Sequence, residues 1–157
     1  MNRYRKFAPF LIFFLALDLA SKQWASVSLP FGKPVPLIPG LFQLTLVHNT
    51  GAAFGVGRSW SIPFFVVASL IALGVVGYLF HRLDPSEKFS LWGLVLILSG
   101  AVGNFVDRIR LGYVVDFLDF FVGKHHWPAF NVADAAITAG AALFALDLLK
   151  GKKKAKS

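Results

Sequence analysis

The sequence contains no cysteine. Disulfide bonds, thiolate nucleophiles and cysteine-based metal sites are therefore excluded, and so is a lipid anchor on an N-terminal cysteine of this chain. Charge is also scarce. Asp, Glu, Lys and Arg make up 15% of the 157 residues, whereas soluble domains carry about a quarter. Because 56% of the residues are apolar, the composition indicates one integral membrane domain spanning residues 1–157.

Four apolar stretches are each long enough to cross a bilayer as a helix. They cover residues 7–26, 62–80, 89–106 and 131–149, close to the ~20 residues that ~30 Å of hydrocarbon requires. The first stretch is interrupted by charged residues and lacks a small-residue cleavage site after it, which favours an uncleaved helix over a signal peptide. We predict a mainly α fold, a four-helix transmembrane bundle.

The basic residues predict how these spans are oriented. Ten of the sixteen Lys and Arg residues lie near the N-terminus, in the loop 81–88 or in the basic tail 150–157. By the positive-inside rule both termini are cytoplasmic, and the longer loops 27–61 and 107–130 face outward. Basic residues clustered at segment ends, rather than in a stripe on one face, argue against nucleic-acid binding.

Both outward loops contain signals for extended structure. Residues 30–40 (PFGKPVPLIPG) are too rich in Pro and Gly to be helical. Residues 41–47 alternate weakly between apolar and polar, which predicts a short strand, and residues 48–51 read as a turn. Residues 113–121 are rich in β-branched and aromatic side chains. We therefore expect a small extracytoplasmic β element at the outer mouth of the bundle.

Acidic residues inside apolar stretches need an explanation, because an aspartate in the middle of a transmembrane helix costs ~2.5–3.5 kcal/mol on insertion scales. Asp18 and Lys22 have i, i+4 spacing and so can form an ion pair. The same pair can also orient groups in a neighbouring active site. Asp147 lies one turn from the basic tail, where an interfacial position needs no function.

Asp116 and Asp134 are the candidates for chemistry. Asn131 and Asp134 have the spacing of an N-cap and its N3 residue, so Asp134 is either a capping carboxylate or a functional group at the membrane boundary. Asp116 is flanked by bulky apolar residues. In a strand, Asp116 and Asp119 point to opposite faces, so only one is expected to face inward. Two converging carboxylates share a proton and can activate water, as in aspartic proteases.

Five motifs together resemble those of the lipoprotein signal peptidases, also called signal peptidase II. Each is weak alone, but all five occur in the family's order on a chain with four apolar spans: Asp18–Lys22, Asn49–Gly55, Gly100–Arg108, Gly112–Phe117 and Phe130–Ala135. One departure is Ser99 before Gly100, where a double glycine is common. Since Ser is also small, we expect close helix packing to be kept.

The resemblance implies an aspartic endopeptidase of the bacterial inner membrane, with no metal or other cofactor. It implies cleavage of prolipoprotein signal peptides just before a cysteine that carries diacylglycerol. Lipids and the cyclic peptide inhibitor globomycin are the further implied partners. The family's catalytic aspartates correspond to Asp116 and Asp134. The supporting polar residues are Asn49, Gly51, Asn104, Arg108 and Asn131, with Asp18 and Lys22 as further candidates.

Two of these supporting residues keep open alternatives. Asn104 and Arg108 share a helix face, and Arg108 can bind a substrate carbonyl or carboxylate, or extend to a lipid phosphate. Asn131 can cap its helix and still direct its amide at substrate. The turn at Asn49–Gly51 is a candidate for part of a lid over the cleft.

Three other classes of protein are weighed against this interpretation. A metallohydrolase would use His125 and His126 with the nearby Asp116 and Asp119, but adjacent histidines diverge, and this segment reads as an interfacial loop anchored by Trp127. A serine protease lacks a G-x-S-x-G elbow. A small transporter or channel subunit predicts that the intramembrane charges line one conduit, and it gives no role to the aspartate in the outward loop.

Overall fold

The computed structural model describes residues 3–51 and 62–154. Four helices carry the fold: α1 (Arg3–Ser28), α2 (Ile62–Arg82), α3 (Lys88–Leu111) and α4 (Val132–Lys154). Each is long and apolar enough to cross a membrane, which confirms the predicted four-span bundle. Each also extends past its apolar stretch. The outward loop predicted from residue 107 begins only after Leu111, and the tail predicted from residue 150 is helical as far as Lys154.

The end of α3 explains the first of these differences. The charged residues Asp107, Arg108 and Arg110 lower the local hydropathy, but arginine is a good helix former, so the helix can continue through them. The helix stops where Gly112 takes a left-handed conformation (φ 79°), and the Gly112 N–H donates to the Arg108 carbonyl oxygen. This glycine C-cap ends the helix one turn beyond the apolar run.

An antiparallel sheet of four strands lies between the helices in sequence, in the order β1 (Val35–Ile38), β2 (Phe42–Asn49), β3 (Val114–Val122), β4 (His125–His126). The expected β element is therefore confirmed, but two of its details were wrong. His48 and Asn49 belong to β2, where they pair with β3, rather than to a turn. His125 and His126 form a short strand against the end of β3 rather than a loop.

Two apolar clusters hold these elements together. Phe7, Phe80 and Leu94 belong to a cluster that joins α1, α2 and α3. Ala25, Leu46 and Val115 belong to a second cluster that joins the end of α1 to β2 and β3. The sheet is therefore anchored to the bundle through the last turns of α1.

Helices α3 and α4 pack with their main chains almost in contact. A Cβ atom added at Gly93 would lie 2.6 Å from the Gly140 carbonyl oxygen, and one added at Gly100 would overlap the Ala133 carbonyl oxygen. Ser99 turns its hydroxyl to the Val95 carbonyl oxygen of its own helix, 2.7 Å away. The expected close packing beside Ser99 is therefore present.

This contact predicts a difference between two glycines that both lie within helices. Gly93→Ala should destabilise the protein by about 1–3 kcal/mol because the new methyl group forces the two main chains apart. Gly77→Ala is the matched control, since nothing lies within 4 Å of an added Cβ there, and it should be neutral or slightly stabilising. Thermal unfolding in detergent measures both variants, and equal midpoints would contradict the packing argument.

Candidate active site

Asp116 lies on β3 in a buried polar environment. Its side chain is 1% exposed. Asn49, from the end of β2, donates through Nδ2 to Asp116 Oδ2 at 2.9 Å, and Asn131 donates through Nδ2 to Oδ1 at 2.7 Å. Each carboxylate oxygen therefore accepts one amide hydrogen bond.

Asp134 lies in the first turn of α4 and is held by a reciprocal cap. The Asp134 main-chain N–H donates to Asn131 Oδ1 at 2.9 Å, and the Asn131 main-chain N–H donates to Asp134 Oδ2 at 3.3 Å. This arrangement is a capping box, and it confirms Asn131 as the N-cap. Asp134 also has a second partner from another helix, because Asn104 Nδ2 of α3 donates to its Oδ1 at 2.8 Å.

Asn131 is the residue that brings the two carboxylates together. Its amide nitrogen binds Asp116 and its main-chain nitrogen binds Asp134. The side chain is 0% exposed, and the same amide also lies 3.2 Å from Asn104 Oδ1. In this structure the Asn131 amide binds the Asp116 carboxylate, and the alternative that it is directed at substrate stays a prediction.

The surroundings of Asp116 favour its protonated form. Burial and, to a lesser extent, the neighbouring charge of Asp134 together raise the pKa of Asp116 to about 7, against the opposing effect of the hydrogen bonds from Asn49 and Asn131. A carboxyl group with such a pKa holds a proton over much of the neutral range. The pair can therefore contain one proton donor and one proton acceptor at the same pH.

A buried ionic cluster adjoins this pair. Lys22 Nζ lies 2.9 Å from Asp18 Oδ2, which confirms the predicted ion pair, although the contact lacks hydrogen-bond geometry. Lys22 Nζ also lies 3.1 Å from Asp107 Oδ2 and donates to Asn104 Oδ1 at 2.8 Å. Asp107 is a site neighbour that was not predicted from the sequence. Its position three residues after Asn104, on the same face of α3, was the available signal.

Arg108 connects α3 to the end of β2. Its Nη2 donates to the Gly51 carbonyl oxygen at 3.3 Å and its Nη1 to the Asn104 carbonyl oxygen at 3.3 Å. Gly51 is buried, and its N–H donates to Asn49 Oδ1 at 2.9 Å. Asn49 and Gly51 are therefore fixed against the site. The lid role of this turn stays a prediction, and residues 52–61 lie outside the described residues.

Asp119 is also buried, but its side-chain partners differ from those of Asp116 and Asp134, which agrees with the expectation that only one of Asp116 and Asp119 faces the candidate site. Although burial raises the pKa of Asp119, hydrogen bonds from Gln43, His126 and Thr45 outweigh it and hold that pKa below its usual value. Gln43 Nε2 lies 2.6 Å from Oδ2, and His126 Nδ1 lies 2.9 Å from Oδ1.

The arrangement required by the metallohydrolase interpretation does not form. His126 meets Asp119, but Asp116 binds the amides of Asn49 and Asn131 on the other side of the strand. Within residues 3–51 and 62–154, no three His, Asp or Glu side chains come together as metal ligands would.

A cleft of about 580 Å³ opens beside the pair, a size typical of ligand sites. At one end it is lined by polar residues, namely Asn49, Asn104, Arg108 and Asp134. Apart from Thr138, its remaining walls are apolar, and they are formed by Val114, Trp127, Pro128, Ala129, Phe130, Ala135, Ile137, Ala139 and Ala142. Asp134 therefore faces the cleft directly. Asp116 does not line the cleft, but Asn49 lines it and also binds Asp116, so Asn49 lies between the cleft and Asp116.

The model of the family described as signal peptidase (SPase) II matches residues 10–150. The chain belongs to the signal peptidase II family. It is therefore a multi-pass membrane protein of a peptidase family. Proteins named lipoprotein signal peptidase are similar over nearly the whole length. The protein from Geobacter sulfurreducens is 42% identical, with 96% of each chain covered. The protein from Francisella tularensis subsp. novicida is 44% identical, with 95% of this chain and 94% of the relative covered.

Two solved structures have a similar fold. One bacterial membrane enzyme superposes with a TM-score of 0.87 at 30% identity, covering 95% of this chain and 90% of that one. Another gives a TM-score of 0.80 at 31% identity, covering 92% and 93%.

The double contact of Asn131 predicts that its two roles can be separated. Asn131→Ser keeps a side-chain oxygen to cap α4 but removes the amide that binds Asp116, whereas Asn131→Ala removes both. Because a cap contributes about 1 kcal/mol, Asn131→Ala should be less stable than Asn131→Ser by about that amount. Chemical or thermal unfolding in detergent measures the difference. Equal stability of the two variants would show that the cap contributes nothing here.

Proposed function

We propose that this chain is an aspartic endopeptidase that removes signal peptides from bacterial prolipoproteins, cleaving before the diacylglyceryl-modified cysteine, with Asp116 and Asp134 as its catalytic residues. The observation that carries the proposal is that a single residue, Asn131, donates to Asp116 through its amide and to Asp134 through its main-chain N–H, and that Asp134 lines the cleft. The names of the relatives, lipoprotein signal peptidase, support the substrate class.

The proposed chemistry uses the different environments of the two carboxylates. With the proton on Asp116, Asp134 accepts a proton from water while that water attacks the scissile carbonyl carbon, and Asp116 protonates the carbonyl oxygen. The resulting diol collapses when Asp134 gives its proton to the departing amine and Asp116 takes one back from a hydroxyl. One water is consumed, and both side chains end as they began.

For this step the substrate carbonyl has to reach Asp116, and the side chain of Asn49 lies between Asp116 and the cleft. Asn49 lines the cleft and occupies Asp116 Oδ2 with its amide. We propose that the scissile carbonyl takes the place of this amide when the peptide binds. Hydrogen bonds to catalytic groups are commonly completed only in the complex with substrate.

The division of the cleft into polar and apolar parts fits a lipidated peptide. The peptide bond would lie among Asn49, Asn104, Arg108 and Asp134, while the acyl chains attached to the cysteine would lie along the apolar wall that α4 presents beyond Asp134. We further propose that both termini are cytoplasmic and that the site lies near the outer face of the inner membrane. Inhibition by globomycin would be a supporting observation.

Replacement of either aspartate tests the dyad. Asp116→Asn and Asp134→Asn should each reduce turnover of a diacylglyceryl-modified prolipoprotein peptide by at least about a thousandfold, because neither amide can transfer the required proton. The assay uses purified protein in detergent without added metal. Asp119→Asn is the matched control, since Asp119 is buried on β3 with other partners, and it should stay active. Full activity in either dyad variant would remove that residue from the mechanism.

A transporter is the second candidate, and the positions of the charges disfavour it. Asp18 and Lys22 are 1% and 2% exposed and are closed off by their partners, whereas Asp134 faces the cleft. These three side chains do not line one conduit. Solute flux into vesicles without peptide cleavage would reverse this preference.

The raised pKa of Asp116 predicts the alkaline side of the pH–rate profile. The group holds its proton below a pH of about 7 and loses it above, so kcat/KM should fall about tenfold per pH unit on the alkaline side. Hydrolysis of the lipidated peptide at several pH values measures this limb. Asp119→Asn should show the same limb, and a rate that stays constant to pH 9 would exclude a protonated Asp116 from the reaction.

A further inference from the structure

Lys22 makes one contact that its ion pairs do not explain. The ammonium group is 2% exposed and lies beside two carboxylates, those of Asp18 and Asp107. These two groups are sufficient to neutralise a buried cation. Its third and shortest contact is nevertheless a hydrogen bond to an uncharged group, from Nζ to Asn104 Oδ1 at 2.8 Å.

This bond determines which way the Asn104 amide faces. A lysine ammonium can only donate, so the Asn104 oxygen has to point toward it. The Asn131 amide donates to the same oxygen at 3.2 Å. The Asn104 NH2 group is consequently left facing Asp134 Oδ1 at 2.8 Å. A flipped amide would place its NH2 against two donors and its oxygen against a carboxylate.

The two carboxylates beside Lys22 also hold main-chain N–H groups next to the candidate aspartates. Asp18 Oδ1 accepts from the N–H of Ala133 at 2.8 Å, and Ala133 immediately precedes Asp134. Asp107 Oδ2 accepts from the N–H of Val115 at 3.2 Å, and Val115 immediately precedes Asp116. Each of the three partners of Lys22 therefore makes a hydrogen bond either to a candidate catalytic aspartate or to the residue that precedes one.

We propose that Lys22 is a positioning residue that acts through Asn104, holding its amide so that it donates to Asp134 and fixes that carboxylate toward the cleft. The inference rests on the proposed peptidase function and deepens it. Lys22 itself does not touch the dyad, and it is not among the described residues that line the cleft. Its loss should therefore affect the chemical step rather than substrate binding.

Lys22→Met tests this, because methionine fills similar space but cannot donate. With diacylglyceryl-modified peptide as substrate, kcat should fall about ten- to hundredfold, as expected for a displaced catalytic group, while KM stays within about twofold. In a double-mutant cycle, Asn104→Ala and Lys22→Met should lower kcat by clearly less together than the product of their separate effects. Multiplicative effects would show that Lys22 does not act through Asn104.

The pH profile gives a readout that lost stability alone would not move. The positive charge of Lys22 acts to lower the pKa of Asp116, which otherwise faces Asp134, Asn49 and Asn131. In Lys22→Met the alkaline limb of kcat/KM should therefore move to higher pH. An unmoved limb together with unchanged kcat in folded protein would overturn the proposal.

A variant that weakens a part-buried contact away from the site serves as the control for stability. Asp147 Oδ2 of α4 accepts from the N–H and the hydroxyl of Ser90, at the other end of the bundle. Asp147→Asn should lower the unfolding temperature without changing kcat. If Lys22→Met lowers kcat only as far as its folded fraction falls, Lys22 is structural and the proposal is wrong.

Lys22→Met leaves two carboxylates beside no cation, so a second variant is needed in case it does not fold. Lys22→Met/Asp107→Asn removes one charge of each sign, and the Asn oxygen can still accept from the Val115 N–H. It should fold and show the same fall in kcat, and unchanged kcat would overturn the proposal.

If wild type cleaves and Asp116→Asn does not, but the Lys22 variants are unimpaired, only this inference fails. If wild type does not cleave, the proposed function fails and this inference with it.

Discussion

The structure depends on the pairing of charges that have been removed from both water and lipid. Asp18, Lys22 and Asp107 lie at the centre of the bundle, and each would be costly there without a partner. Paired, they join α1 to α3 through Lys22, α1 to the start of α4 through Asp18, and α3 to β3 through Asp107. The start of α4 and the strand β3, which carry the candidate aspartates, are therefore both held in place by the same ionic cluster.

At the start of α4, the need to pair buried polar groups determines how the helix begins. A helix N-terminus leaves main-chain N–H groups without partners, and in a low-dielectric interior those groups have to be satisfied. Here Asn131 takes the N–H of Asp134, and Asp18 of another helix takes that of Ala133. The caps fix the direction in which the helix enters the bundle. They also fix the side chain of Asp134, which belongs to the same turn.

Contacts between residues close in sequence could be predicted from spacing. The Asn131–Asp134 cap and the Asp18–Lys22 pair are separated by three and four residues, and the periodicity of a helix decides both. The four spans followed from hydropathy because the bilayer imposes a length on each one. Motif resemblance selected the polar residues that the structure brings together around Asp116 and Asp134.

Contacts between distant residues could not be predicted in the same way. Lys22 and Asn104 are 82 residues apart, and nothing local indicates that they meet. The burial of Asp119 could not be predicted for a related reason. Alternation along one strand says which side a residue takes, but not that Gln43 and Thr45 of β2 supply polar partners on the second side. The pairing of His48 with β3 was missed for the same reason, since register across strands is a property of the folded sheet.

The approach of α3 and α4 at Gly93, Gly100 and Gly140 has a consequence for an enzyme embedded in lipid. Bilayers differ in thickness, and transmembrane helices respond by tilting or shifting. Two helices whose main chains touch at several levels tilt as a unit, because neither can slide without collision against the other. Asn104 and Asp134 lie on these two helices, so the bond between them should be insensitive to the thickness of the surrounding membrane. A change of host membrane would then reorient the candidate site without loosening it.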